Sequence, residues 1–154
     1  MSKPIKVLLI ESHALTRLGI RTVFGETADV QLIGEAETSD DGFDLFGRLG
    51  PDVTILGLRF PGSCSIDDLD NYFVTTPGAK IIVLADHAGD GEIRRALKKG
   101  AAGYVCKDIE PEELVKAIRT VAAGKKYIPA DIAGILSEHI GQEELTDAET
   151  NVLR

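Results

Sequence analysis

A run of small nucleophilic side chains, Gly62-Ser63-Cys64-Ser65, raises the question whether the chain carries an activated serine or cysteine. A nucleophile elbow has the pattern Gly-x-Ser-x-Gly, and the second glycine is missing from this run. Covalent catalysis also needs a base beside the nucleophile, and the sequence pairs no serine or cysteine with one. We therefore interpret the run as a turn and the start of a helix, and expect the chain not to be an enzyme.

The side chains that could bind a transition metal are scattered along the chain. Cys64 and Cys106 belong to no Cys-x-x-Cys pair or Cys/His cluster, so we expect two reduced, structural thiols. His13 and His87 each lack a partner in sequence, which is more typical of a surface or capping residue than of a catalyst. The sequence therefore predicts no zinc site.

The overall charge and hydropathy restrict the partners of the chain. A net charge of -8 opposes binding to a phosphate backbone, so any DNA-binding function must lie in residues that this chain lacks. Hydrophobic residues at 44% and charged residues at 27% are typical of a globular protein. There is no apolar signal core near the N-terminus and no apolar run of bilayer length. We expect a cytoplasmic protein that does not bind membranes.

Five short apolar segments, rich in β-branched residues, divide the chain at regular intervals. One reference residue in each segment gives separations of 23, 23, 28 and 23 residues, about one strand and one helix each; these residues are Val7, Val30, Val53, Ile81 and Tyr104. Near-continuous hydrophobicity is typical of strands buried on both faces of a parallel sheet. The pattern predicts a (βα)5 α/β domain. The predicted strands are Ile5 to Ile10, Val30 to Ala36, Val53 to Leu58, Lys80 to Ala85 and Gly103 to Cys106.

Helical spacing fills the intervals between these segments. The last helix has the strongest signals, because Pro111 stands in its first turn, two glutamates follow at the positive end of the helix dipole, and Gly124 ends it. Three further helices are predicted at residues 13–24, 64–73 and 91–99.

The pattern changes after Gly124. Residues 125–129 are typical of a linker, and the spacing of isoleucine and leucine over residues 130–140 predicts a linker helix. Thr146 and Glu149 then form a capping box, which predicts a new helix inside which the chain ends. We divide the chain into a domain at 1–124, a linker with a helix at 125–144, and the truncated start of a second domain at 145–154.

Three stretches of the sequence resemble the receiver domain of bacterial response regulators, in particular the NarL/FixJ type. They are residues 7–13, 51–62 and 100–108, and the resemblance covers residues 5–123. It implies a flavodoxin-like fold, a doubly wound parallel sheet of strand order 2-1-3-4-5 with its site at the carboxyl ends of strands one and three. Residues 145–154 resemble the opening of the LuxR-type helix-turn-helix domain that typically follows such receivers. The alternative is a C-terminal helix of the receiver itself.

The resemblance also assigns the site residues. In a phosphorylatable receiver, two acidic residues after strand one hold Mg²⁺, an aspartate ending strand three accepts the phosphoryl group, and a hydroxyl and a lysine bind its oxygens. Glu11 and Lys107 match this pattern, whereas Ser12 replaces the second acidic residue, Gly57 the phosphoacceptor and Ala85 the hydroxyl. Departures at three strand ends imply a degenerate site, a pseudo-receiver in which Lys107 balances Glu11 and Mg²⁺ binding is absent or weak.

For the other candidate residues we favour a structural or surface role over a functional one. Asp86 could replace the lost acceptor or bind a cation with Glu11, but it follows the end of strand four and should point along the outer rim. Asp52 lies at the opposite end of strand three. Tyr104 matches the switch aromatic of the family and, without a hydroxyl at Ala85, should simply pack. We interpret the basic residues of the fourth helix as a solvated face rather than a docking patch. They are Arg94, Arg95, Lys98 and Lys99.

The functional hypothesis is an atypical response regulator, a phosphorylation-independent transcriptional regulator whose receiver mediates dimerisation or signal input. The partners expected are a second copy of the chain, DNA through a C-terminal domain absent from this chain, and a histidine kinase or other regulator. The alternative is an interaction module that docks or sequesters a kinase or regulator without binding DNA. About 50 further residues of basic helix-turn-helix after Arg154 would favour the first hypothesis.

Overall fold

The computed structural model describes residues 3–86 and 90–128. The predicted linker helix, the capping box and the predicted start of a helix-turn-helix domain lie outside these residues. Among the helices that are described, none is long and apolar enough to cross a membrane.

A five-stranded parallel sheet organises the domain. The strands are β1 (Ile5–Ile10), β2 (Val30–Ala36), β3 (Val53–Gly57), β4 (Arg59–Phe60), β5 (Ser63–Cys64), β6 (Ile81–Ala85) and β7 (Gly103–Cys106). The main sheet has the order β2-β1-β3-β6-β7, while β4 and β5 form a separate small hairpin. Counted within the main sheet alone, the order is 2-1-3-4-5, so the predicted doubly wound, flavodoxin-like topology is confirmed.

Helices cover both faces of the sheet and bury its apolar side chains. They are α1 (Ala14–Gly25), α2 (Ser39–Leu49), α3 (Leu69–Thr75), α4 (Asp90–Lys98) and α5 (Pro111–Ala122). Residues of α2, α3 and α4 pack with one set of strand side chains, and residues of α1 and α5 with the other set. The near-continuous apolar strands follow from this arrangement, since every strand residue of β3 and β6 is buried.

The prediction of one helix from residue 64 to 73 is wrong for the first half of that segment. Cys64 belongs to strand β5, a short 3₁₀ helix spans Ser65–Asp68, and α3 begins only at Leu69. The reason is a pair of bonds at Ser65, whose backbone N–H donates to the Leu58 carbonyl at 2.7 Å and whose hydroxyl donates to the Gly57 carbonyl at 2.6 Å. These bonds tie the segment to the end of β3 and keep the residues before it extended.

The first residues of the predicted linker remain attached to the sheet. Tyr127 forms a parallel bridge with Gly103, and its backbone N–H donates to the Ala102 carbonyl at 2.9 Å. The Tyr127 hydroxyl donates to Glu113 on α5 at 2.6 Å. The chain therefore leaves α5 along the edge of β7.

Two glycines of α2 should respond in opposite ways to replacement by alanine. A Cβ at Gly42 would lie 2.4 Å from Ile10 Cγ2, whereas a Cβ at Gly47 meets nothing within 4 Å. Because Ile10 is fully buried, Gly42→Ala should destabilise the domain by about 1–3 kcal/mol through overpacking. Gly47→Ala should stabilise it by ~0.5–1 kcal/mol through helix propensity. Urea unfolding of both variants checks the close α2–β1 contact, and equal effects would contradict it.

Candidate functional site

The carboxyl ends of the parallel strands meet at one edge of the sheet, where the candidate residues converge. Glu11 directly follows β1, Gly57 ends β3, Ala85 ends β6 and Lys107 follows β7. Register and backbone bonds bring these ends together, because the Lys107 N–H donates to the Ala85 carbonyl at 2.8 Å and β3 pairs with both β1 and β6. The structure thus gathers these four residues at the switch point of the sheet.

Glu11 is the central charged group of this edge. Its side chain is only 1% exposed. The Oε2 atom accepts hydrogen bonds from the backbone N–H of His13 at 2.8 Å and from Lys107 Nζ at 3.0 Å, and it lies 2.6 Å from His13 Nδ1. The predicted pairing of Glu11 with Lys107 is therefore present as a direct, largely buried ion pair.

The Glu11 side chain occupies the space above Gly57. A Cβ at Gly57 would lie 2.4 Å from Glu11 Oε1 and 3.3 Å from the Ile10 carbonyl oxygen. Oε1 is buried and has no hydrogen-bond partner among the described residues. In the present arrangement, any side chain at position 57 would have to displace this carboxylate.

Lys107 links Glu11 to two residues of the site rim. Its Nζ atom lies 3.2 Å from Asp86 Oδ1 and 2.7 Å from His13 Nδ1. Asp86 is 60% exposed, so it neutralises Lys107 from the solvent side, while Glu11 does so from the interior. Asp52 lies far from this cluster, where its carboxylate accepts from the Lys6 N–H at the start of β1.

His13 is the member of the site that its sequence context failed to reveal. We interpreted it as a lone surface or capping residue, and its side chain is indeed 58% exposed at the start of α1. Its ring nevertheless contacts both Glu11 and Lys107. In the sequence, only its position two residues after Glu11 pointed to the site. The contact with Lys107 joins residues 94 positions apart, and a local sequence pattern cannot predict such a contact.

Tyr104 packs in the core next to the site, as expected. It is fully buried, and its hydroxyl has no hydrogen-bond partner in residues 3–86 and 90–128. Burial raises the pKa of this hydroxyl well above its usual range, because the charged form would lose its hydration. A small cleft of about 30 Å³ opens beside the strand ends. It is lined by His13, Leu58, Arg59, Leu84, Ala85, Asp86, Glu92 and Lys107.

Ion pairs connect α4 to the segment that precedes and forms α3. Arg95 binds Asp67 at 2.8 Å and Lys99 binds Asp70 at 3.3 Å, while Glu92 of α4 contacts Arg59. Arg95, which was interpreted as part of a solvated face, is half exposed yet paired. Exposed pairs of this kind contribute little to stability individually.

The described residues contain no group of three or more His, Cys, Asp or Glu side chains arranged to hold a metal ion. Cys64 and Cys106 are both half-buried, and neither forms a disulfide within the part of the chain that the structure describes.

The family of the chain follows from comparison with known proteins. The model of the response regulator receiver domain matches residues 7–119, most of the described residues. The chain belongs to the response regulator receiver family. This receiver is 30% identical over 152 residues to the nitrate/nitrite response regulator protein NarL of Escherichia coli K12, an alignment that covers 98% of this chain and 70% of NarL. It is 34% identical to the response regulator GacA of Pseudomonas aeruginosa, covering 84% of this chain and 60% of GacA.

Solved receivers share its fold. A two-component response regulator of the LuxR family from Aurantimonas sp. SI85-9A1 superposes with a TM-score of 0.83 at 27% identity, covering 89% of this chain and 98% of that one. The isolated receiver domain of RcsB from Salmonella enterica, determined with the phosphomimetic BeF3-, superposes with a TM-score of 0.78 at 25% identity, covering 85% and 97%.

The residues of this receiver do not fit the Mg²⁺ ion that the family implies. Mg²⁺ needs several oxygen ligands in near-octahedral geometry. Here Glu11 Oε2 is occupied by His13 and Lys107, Oε1 is buried against Gly57, and Ser12 supplies no charge. Among the described residues, the ammonium group of Lys107 already pairs with Glu11 and Asp86, so a divalent cation would have to compete with it for these carboxylates.

Proposed function

We propose that this chain is the receiver of an atypical response regulator that controls transcription in the cytoplasm without being phosphorylated. The receiver would act through dimerisation or signal input, and a C-terminal helix-turn-helix domain would bind DNA. The domain boundaries predicted from the sequence, 1–124, 125–144 and 145–154, belong to this proposal.

The proposed loss of phosphorylation rests on one observation. The strand end that should present an acceptor aspartate ends in Gly57, and the Glu11 carboxylate lies over it. Glu11 cannot take over as the nucleophile, because its free oxygen is buried and directed at the backbone of Gly57 rather than at solvent. Asp86 is also unsuitable, because it pairs with Lys107 at the exposed rim and the described residues form no metal-binding group that could align a phosphoryl donor for in-line transfer.

The relatives support the part of the proposal that concerns transcription and DNA binding. One is a nitrate/nitrite response regulator, and another, 29% identical, is a transcriptional regulatory protein. A solved structure of a related protein contains two RcsB dimers bound to two parallel DNAs. A second copy of the chain and DNA are therefore the partners that we propose, and a histidine kinase or other regulator could supply the input.

The chemical test is incubation with acetyl phosphate and Mg²⁺. Intact-mass spectrometry should show no phosphoryl adduct, because the site has neither an accessible acceptor nor a metal site. Beryllofluoride should leave the spectrum and the oligomeric state unchanged. A stoichiometric acyl phosphate mapped to Asp86, or to any other residue, would overturn the proposal.

The output is tested separately with the native gene. Its reading frame beyond Arg154 should encode about 50 residues of basic helix-turn-helix, and the unphosphorylated full-length protein should bind its own promoter region with a strong salt dependence. A stop codon directly after residue 154 would instead favour the interaction module that docks or sequesters a kinase or regulator.

A further inference from the structure

We propose that Glu11 is a built-in replacement for the acceptor carboxylate. Its side chain fills the position above Gly57 and binds Lys107, so the chain itself permanently supplies the anionic ligand at this site. This inference concerns a positioning residue and does not depend on the DNA-binding role proposed above.

The first step of the argument is steric. Glu11 Oε1 lies 2.4 Å from the Cβ that a residue at position 57 would carry, closer than two non-bonded atoms can approach. With Glu11 in this position, a residue with a Cβ at position 57 requires the carboxylate to move. The backbone of Gly57 does not have a positive φ angle, so an alanine there would conflict with the present position of Glu11 and not with the backbone conformation.

The second step is electrostatic. Glu11 is almost fully buried, and its Oε2 atom is bound by the His13 N–H and by Lys107. A buried carboxylate is stable only when paired and hydrogen-bonded, and these two donors satisfy Oε2. Oε1 has no donor among the described residues. The hydrogen bonds of Oε2 hold the carboxylate so that Oε1 lies against Gly57. The position of Glu11 is thus imposed by Lys107 and His13 together.

The consequence is that Gly57→Ala should release Lys107. The new methyl group displaces Glu11, and the carboxylate loses its bonds to Lys107 and to the His13 N–H. Lys107 then keeps only its rim partners. The amine reactivity of Lys107, measured by limited acetylation and peptide mass spectrometry, should rise roughly tenfold, the factor expected for loss of one charge-assisted hydrogen bond. Exposed Lys116 on α5 serves as the internal reference.

Two further variants make the result specific. Glu11→Ala should raise Lys107 reactivity to the same level, and adding Gly57→Ala to Glu11→Ala should change it no further, because the displaced group is already gone. Gly47→Ala, at a glycine with open space around it, should leave Lys107 reactivity unchanged. If either single variant fails to fold, the other still tests the prediction against Gly47→Ala.

Unchanged Lys107 reactivity in a folded Gly57→Ala variant would overturn the inference, and so would additive effects of Gly57→Ala and Glu11→Ala. Either result would leave the absence of phosphorylation untouched, since that rests on the missing acceptor and is measured by intact mass. The two proposals therefore fail independently.

Discussion

Gly57→Asp alone is expected to give almost no phosphorylation with acetyl phosphate and Mg²⁺. The new Cβ meets Glu11 Oε1, so the aspartate and Glu11 compete for the same space. Even after Glu11 moves aside, Ser12 contributes no carboxylate to the metal, and Ala85 has no hydroxyl to bind a phosphoryl oxygen. Restoring the nucleophile therefore restores one of three missing groups.

The combination Ser12→Asp, Gly57→Asp and Ala85→Thr should approach a working site beside the existing Glu11 and Lys107. Two carboxylates at positions 12 and 57 could draw Glu11 towards a shared metal ion and away from its present position. We expect the single variant to be phosphorylated roughly 10²-fold more slowly than the triple variant, as is typical for misplaced reacting groups. The measurement is the rate of appearance of a hydroxylamine-sensitive phosphoryl adduct by intact mass.

Gly47→Asp is the matched control, because it adds an aspartate at an open position of α2, away from the strand ends. It should form no adduct. If Gly57→Asp alone is phosphorylated as fast as the triple variant, then Ser12 and Ala85 do not limit phosphorylation. Gly57 alone would then account for the inactivity of the site.

Sequence patterns predicted the sheet well because its central strands are apolar and buried on both faces. The segments Ile5–Ile10, Val30–Ala36 and Gly103–Cys106 were predicted with the bounds that the structure has. The hairpin of β4 and β5 could not be predicted in this way. It has only two residues in each strand, and it depends on Ser65 binding the end of β3 through tertiary hydrogen bonds.

At the site, the sequence revealed which groups are missing but not what fills their place. The pairing of Glu11 with Lys107 followed from charge and from the positions of both residues at strand ends. The placement of Glu11 over Gly57 depends on the absence of a side chain, on a backbone N–H of His13 and on a lysine 96 positions away. The exposed ring of His13 joins the cluster for the same reason, because the turn after β1 brings it against Lys107.

Removing the ammonium group of Lys107 should be strongly destabilising. Lys107→Ala leaves the Glu11 carboxylate 1% exposed and without its cationic partner, and breaking a buried ion pair on one side typically costs several kcal/mol. Since Lys107 itself is 17% exposed, we expect a loss near the lower end, about 3 kcal/mol, in the free energy of unfolding. Urea denaturation of the purified chain measures it.

Adding Glu11→Gln to Lys107→Ala should recover most of this loss, because a neutral amide at position 11 no longer needs a cation and can still accept from the His13 N–H. Lys116→Ala on the exposed face of α5 is the control, and should change stability by less than ~0.5 kcal/mol. A strong recovery would show that the cost of Lys107→Ala comes from a stranded carboxylate and not from lost packing of the lysine side chain. If Glu11→Gln recovers nothing, then the His13 contacts alone stabilise Glu11, and Lys107 is held chiefly by Asp86 at the rim.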